Sequence, residues 1–304
     1  MKNLNYISFL LVLFYFSCTP RNEKNVQPDT RDSGLIHIVA DESYKPIIDE
    51  EIKVFESNSY GKATILVQYK PEEELVKDLW NDSIRLIFST LQIPQGLAKK
   101  IEDSLNTNVS QLKIARDAVA VIVNPNNPKS KFTMAEIKNL LSNDYNGNLF
   151  PVFDGLKATS TVKYIVDSVL KGKKLSSKAV AARSSDSVVH YVAQNPNAVG
   201  FVGVSWVGNK DDKEQLSFLK KVKIASIESN YSPGLYILPV QEHLYTSSYP
   251  MTRDLTYILK ERYAGLGNGF ADFVSGQIGQ LIFKRAYLMP GRNNFIIRPA
   301  RLNE

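Results

Sequence analysis

The stretch Arg116-Asp117-Ala118-Val119-Ala120-Val121-Ile122-Val123-Asn124-Pro125-Asn126-Asn127-Pro128 decides the fold. From Ala118 to Val123 the chain is apolar without a break, and β-branched residues dominate. Such a run reads as a strand covered on both faces, because a strand with one wet face would alternate apolar and polar. Asn124-Pro125-Asn126-Asn127-Pro128 ends it with turn chemistry, since Pro cannot donate to a ladder. Thr133 and Glu136 then stand at capping-box spacing, which predicts a helix running into Leu140 and Leu141.

Strands and helices alternate on both sides of this run. Before it, Leu35–Ala40, Thr64–Tyr69 and Leu86–Phe88 read as strands. Pro46 opens a helix with Ile47, Ile48, Ile52, Val54 and Phe55 on its core face, and Glu72–Trp80 is a second helix. After it, Phe150–Phe153, Ala198–Gly203, Lys220–Ile227 and Arg253–Lys260 read as strands, and Phe295–Ile297 as an edge strand. Helices follow Thr159-Ser160-Thr161, Ser184 or Ser185, and Gly269, while Pro239–Ser248 reads as a polar connection. The alternation predicts an α/β sheet, mostly parallel. With 304 residues, two lobes are expected.

Open α/β sheets bind ligands beyond the carboxyl ends of their strands. Three places qualify here: Asp41–Tyr44, Ser89-Thr90, and Asp154 to Thr161. Thr159-Ser160-Thr161 offers three hydroxyls at a helix start, where N–H groups are free and the dipole adds about half a positive charge. That suits an oxyanion. Plain helix capping suits it as well.

Other chemistry finds no motif. His37, His190 and His243 lie far apart, Cys18 is the only cysteine, and H-E-x-x-H, Walker and G-x-S-x-G patterns are absent. Gly265–Gly269 is glycine-rich but lacks the Lys-Ser/Thr of a phosphate loop. No enzyme activity, cofactor or metal is therefore expected. The net charge of +6 is spread along the chain, which reads as a solvated basic surface and not a nucleic-acid footprint. At the N-terminus, Lys2 precedes an apolar stretch, Tyr6–Phe16, too short for the ~20 residues of a membrane span. Ser17-Cys18 closes it. This resembles a bacterial lipoprotein signal, with residues 1–17 removed, Cys18 lipidated and 18–33 a polar tether. An ordinary secretory signal with an incidental cysteine is the alternative.

Several segments together resemble the periplasmic phosphate-binding receptors of ABC phosphate importers. They are Ala115–Pro125 with Thr133-x-x-Glu136-Ile137, Asn195-Pro196 before Val199-Gly200-Phe201, and Tyr249-Pro250-Met251-Thr252-Arg253. Phe270-x-x-Phe273 with Gly279-Gln280-x-Ile282 and Pro290 completes the set. The likeness runs over about residues 35–290. It implies an α/β, two-lobed type II periplasmic binding protein-like fold with a ligand cleft between lobes. Lobe 1 would comprise 34–120 plus 250–304, and lobe 2 would comprise 121–249. It also implies a cleft lined by Ser43, Tyr44, Ser89, Thr90, Thr159, Ser160 and Thr161. The partners would be a small anion, phosphate first, and an ABC permease. The protein would be a monomer in the bacterial cell envelope, facing the periplasm or the outside. A lipid-anchored sensor or partner-binding protein on the same scaffold is the alternative.

The chain departs from that family where the family grips phosphate. Gly155 stands where receptors carry a clamping Arg, with Lys157 the nearest cation in sequence. Ser89-Thr90 replaces a Ser-Asp whose Asp accepts the phosphate proton, Lys70-Pro71-Glu72-Glu73 replaces Ser-Gly-Gly, and Asp41-Glu42 makes the first loop acidic. Unpaired carboxylates beside a desolvated dianion cost several kcal/mol. Asp41, Glu42 and Asp154 either face a cationic or polyhydroxylated ligand or point into solvent, and any phosphate affinity is expected to be weak.

Overall fold

One long strand, Asn108–Val123, joins the two halves of the molecule. The computed structural model describes residues 29–155, 159–209 and 212–292. Its strands are β1 Gly34–Asp41, β2 Ala63–Lys70, β3 Ile84–Ser89, β4 Asn108–Val123, β5 Lys131–Phe132, β6 Phe150–Phe153 and β7 Val180–Ala181. They continue as β8 Ala198–Gly203, β9 Lys223–Ile224, β10 Ser226–Glu228, β11 Tyr236–Ile237, β12 Thr252–Glu261 and β13 Met289–Pro290. The helices are α1 Lys45–Asn58, α2 Glu72–Asp78, α3 Gln95–Leu105, α4 Met134–Leu140 and α5 Ser160–Tyr164. After these come α6 Ser185–Gln194, α7 Lys213–Leu219, α8 Gln241–Tyr245, α9 Leu266–Ser275 and α10 Gln277–Arg285. The main sheet has the order β2-β1-β3-β12-β4-β8-β6-β7, with β9 and β13 also on β4; β11-β10-β5 form a small second sheet.

The apolar run of β4 is buried from Ala118 to Val123. Ala118, Val119, Val121 and Val123 pack with Phe153, Ile165, Phe201 and Tyr249, whereas Ala120 and Ile122 pack with Val188, Val192 and Val202. Both faces are covered, as the unbroken run requires. The first half of β4 belongs to another core, which Ile114 and Ala115 enter beside residues of β1, α1 and β12. Phe55 of α1 and Phe88 of β3 both meet Phe270 of α9, at 5.2 and 5.7 Å between ring centres. The C-terminal helices are thereby fixed to the N-terminal strands.

Register explains where a site can form. β12 pairs antiparallel with β4 from Glu261–Asn108 to Thr252–Ala118, and β3 reaches Ser89 opposite Thr256. β8 pairs antiparallel with the other half of β4 and ends at Gly203 opposite Val119; β6 runs parallel to β8. The carboxyl ends of β1, β3, β6 and β8 therefore all point to the Thr252–Ala118 end of the β4–β12 ribbon. The expectation of a mostly parallel sheet holds only for the outer strands. β1 with β2 and β3, and β6 with β7 and β8, are parallel, but β4, which passes from one half to the other, and β12, which returns beside it, run against their neighbours.

Local differences are few. Lys220–Ile227 is not one strand: at Ala225, whose N–H still bonds Val121, the chain leaves β4 for the small sheet. The connection 239–248 contains the short helix α8. The expected Phe295–Ile297 strand, Lys157, Cys18 and most of the 18–33 tether lie outside the described residues. Among the described residues no helix is long and apolar enough to cross a membrane.

Candidate functional site

Arg253 is the centre of the convergence. It lies opposite Asp117 in the β12–β4 ladder, so backbone register alone brings the two side chains together. Its Nε donates to Asp117 Oδ2 at 2.9 Å, and Nη2 lies 2.9 Å from the same oxygen, off the line of its N–H bonds. Nη1 donates to Ser160 Oγ at 3.0 Å and to Thr161 Oγ1 at 3.2 Å. The guanidinium carbon stands 5.0 Å from the centre of the Tyr44 ring. Only 5% of Arg253 is exposed, and Asp117 is fully buried. Burial works against the Arg253 charge, but Tyr44, Asp117 and Asp41 outweigh it and raise its pKa.

The room for this ion pair comes from a glycine. A Cβ on Gly203, at the end of β8, would stand 2.9 Å from Arg253 Nη2 and 3.3 Å from Asp117 Oδ2. Sequence spacing shows a glycine there, but not what approaches it.

The turn after β1 supplies the facing wall. Asp41 Oδ1 accepts from the Ser43 N–H at 2.8 Å and starts a single 3₁₀ turn, Glu42–Tyr44. The Ser43 carbonyl accepts from Ser205 Oγ at 3.1 Å and from Trp206 Nε1 at 2.9 Å, both just beyond β8. Ser43 Oγ lies 3.2 Å from Ser160 Oγ and 3.4 Å from Thr161 Oγ1. The two halves thus meet hydroxyl to hydroxyl, with Arg253 behind them.

Of the residues chosen from sequence, Ser43, Tyr44, Ser160 and Thr161 come together here. Thr159 caps α5, accepting from the Val162 N–H at 3.3 Å, and stands beside Asp154. Thr90 lies at the rim, where its hydroxyl and its N–H both donate to Glu72. Ser89 is buried but turned to the Leu91 N–H at 3.0 Å, away from the other hydroxyls. α5 continues without a break into a π-helical turn, Ile165–Val169, so the helix expected behind Thr159-Ser160-Thr161 runs to Val169 with its second half widened.

Sequence reading missed Arg253 and Asp117. Both were quoted as scaffold residues, and Arg253 is 93 positions from the serine it bonds. A guanidinium at 155 is not available to this chain. Gly155 has φ +143°, a region L side chains rarely adopt, and its Cβ would stand 3.3 Å from Thr159 Cγ2. The cation enters from β12 instead.

The acidic residues are not in solvent. Asp41 and Asp154 are 1% and 6% exposed, and among the described residues one oxygen of each, Asp41 Oδ2 and Asp154 Oδ1, has no donor. Burial raises the pKa of Asp41, which Arg253 only partly offsets. Burial and then Asp154 push Glu42 up to about 7. Burial also raises Asp154 and Glu72. Beyond Arg253 a cleft of about 600 Å³ opens, lined by Glu72, Thr90, Arg116, Lys163, Tyr164 and Asp254 among others. Among the described residues no set of His, Cys, Asp and Glu side chains is arranged to hold a metal ion.

Comparison with known proteins places this geometry. A family model described as the PBP superfamily domain matches residues 25–277. Protein SphX of Synechococcus elongatus is 24% identical over 188 residues, which is 56% of this chain and 53% of that protein, so the match spans about half its length. A Clostridium perfringens protein assigned as a phosphate ABC transporter substrate-binding protein, solved with bound phosphate, superposes with a TM-score of 0.68. It shares 20% identity, over 84% of this chain and 99% of its own. An ABC-type phosphate transport receptor from Vibrio cholerae gives a TM-score of 0.60 at 16% identity, over 84% of this chain and all of its own. These likenesses carry the α/β, periplasmic binding protein-like fold.

Proposed function

Since the chain belongs to the PBP superfamily, we propose that it is a solute-binding protein for a small oxyanion, phosphate first, serving an ABC importer. The observation that carries this is Arg253. A buried guanidinium is bonded to hydroxyls of residues 160 and 161, and Ser43 from the opposite half touches the same hydroxyls. Guanidinium and hydroxyl donors in a dry site match an oxyanion's acceptors. The relatives solved with or named for phosphate support that choice of ligand.

On this reading residues 34–120 plus 250–304 form lobe 1 and 121–249 form lobe 2, hinged on β4 and the approach to β12. An anion oxygen replaces the direct contacts among Ser43, Ser160 and Thr161 when it enters. Cys18 carries a lipid anchor, and the domain faces the periplasm or the cell exterior as a monomer. Four carboxyls around the cleft, of Asp41, Glu42, Glu72 and Asp154, favour a second reading, in which a different ligand or a partner is sensed on the same scaffold.

Isothermal titration with phosphate and with sulfate separates the two. The expected result is phosphate binding with a Kd of about 1 μM or weaker, tighter than sulfate. Failure to bind phosphate at millimolar concentration by a folded protein supports the second reading. Native mass spectrometry then identifies what co-purifies.

A further inference from the structure

Two carboxyls from opposite halves meet on one hydroxyl. Ser185 Oγ, at the start of α6, lies 3.2 Å from Glu42 Oε2 and 3.1 Å from Asp154 Oδ2. The Ser185 N–H donates to Glu42 Oε1 at 3.3 Å. A serine hydroxyl has a single proton to donate. If both carboxyls were ionised, one of these two short contacts would set lone pair against lone pair. A proton on either carboxyl completes the count: the acid donates to Oγ, and Oγ donates onward to the other carboxylate. We propose that Glu42, Ser185 and Asp154 form a proton-binding latch between the lobes, so that closing on the anion takes up a proton.

The surroundings favour the proton. Asp41 faces both carboxyls from the end of β1, and Glu72 faces Asp41 and Arg253 from α2. On α6 itself, the Ser184 hydroxyl donates to Asp186. Among the described residues the cation that acts on Asp154 and Asp41 is Arg253, which is already bonded to Asp117. Thr159 and Ser185 give Asp154 hydroxyl donors, yet among the described residues its Oδ1 has no donor, nor has Asp41 Oδ2. An incoming anion adds negative charge to this set, and an added proton offsets it.

The sign follows from burial. Glu42 is pushed up to about 7 in the closed form, while an open, wetted cleft returns it to the ordinary carboxylate range. Between those two values closing binds about one proton, and affinity falls by up to about tenfold per pH unit as pH rises. As pH rises past about 7 Glu42 gives up its proton in the closed form too, and its pH dependence ends. Below the ordinary carboxylate range it also ends, since both forms hold the proton.

This inference rests on the anion-binding reading above, and its test keeps the two apart. Purified full-length protein is titrated calorimetrically with inorganic phosphate near pH ~6, in two buffers of different ionisation enthalpy, which yields the protons bound. Glu42→Gln and Asp154→Asn are measured beside it. Either amide keeps a contact to Ser185 but cannot hold the shared proton, and the titration of phosphate itself cancels in the difference. The expected result is that wild type takes up about one proton more than either variant and has the steeper pH dependence. Equal uptake in all three overturns the latch and leaves phosphate binding standing. If phosphate does not bind, infrared spectra of the unliganded proteins still decide. A protonated carboxylic acid band that titrates away near pH ~7 in wild type and is missing from Glu42→Gln, beside the band of Glu51 common to both, supports the latch, and identical spectra of the two proteins overturn it.

Discussion

Arg253 and Asp117 show what a single pair costs when split. Both are buried, and removing one partner leaves the other charge without compensation, typically at about 3–5 kcal/mol. Arg253→Met is therefore expected to lower stability by that order in denaturant unfolding, and Arg253→Met combined with Asp117→Leu by clearly less. Should the double variant be the less stable, the ion pair is not held as described. Gly203→Ala tests the packing around the pair, because its methyl would meet Arg253 Nη2 at 2.9 Å. Weakened phosphate binding is expected, measured calorimetrically, with the fold retained by circular dichroism. At this scale the sequence was half legible. Ser43, Tyr44, Ser160 and Thr161 follow from strand-end placement. Arg253 does not, because a ladder register between residues more than a hundred positions apart sets its place. Whether the carboxyls face a ligand or solvent stays open in the sequence for the same reason: which element covers Asp154 or Glu42 is a tertiary fact.

At the scale of elements, capping and apolar periodicity read well. Thr133 and Glu136 make both bonds of the capping box. Thr133→Ala is expected to lower stability by about 1 kcal/mol, within the ~0.5–2 kcal/mol typical of lost caps, on the denaturant midpoint. Helix α1 carries the opposite case. Glu51 is fully buried, and neither carboxyl oxygen has a partner among the described residues. Burial, with Glu50 adding to it, pushes it up to about 9. The folded pKa lies above the unfolded one, so its contribution is fully present below the ordinary carboxylate range and is lost as pH rises towards 9. Glu51→Gln, which has no charge to gain, is expected to be relatively more stable at pH ~8 than at pH ~5 in paired thermal melts. A constant wild-type–variant gap across that range contradicts the burial argument. The elements that sequence reading misjudged are those where the chain changes sheets, as at Ala225, since local pattern is blind to which sheet receives a strand.

For the whole molecule, the alternation of the main strands and helices was legible, but helices such as Gln95–Leu105 and the direction of the central strands β4 and β12 were not. Parallel outer strands are dictated by helical crossovers; β4 runs antiparallel to β8 and β12 as it passes from one half to the other, and the chain returns to the first half at β12. The same crossing returns α9 to the first core, where Phe270 meets Phe55 and Phe88. Phe270→Ala is expected to cost about 3–5 kcal/mol and to weaken the half built from the N-terminal strands, read by hydrogen exchange in β1 and β3. The central claim is that an oxyanion sits between the halves on Arg253. A crystal structure grown in saturating phosphate tests it most directly. The expected result is one phosphate within hydrogen-bond distance of Arg253 and of the hydroxyls of Ser43, Ser160 and Thr161. A closed cleft that stays empty, or phosphate seated away from Arg253, contradicts it.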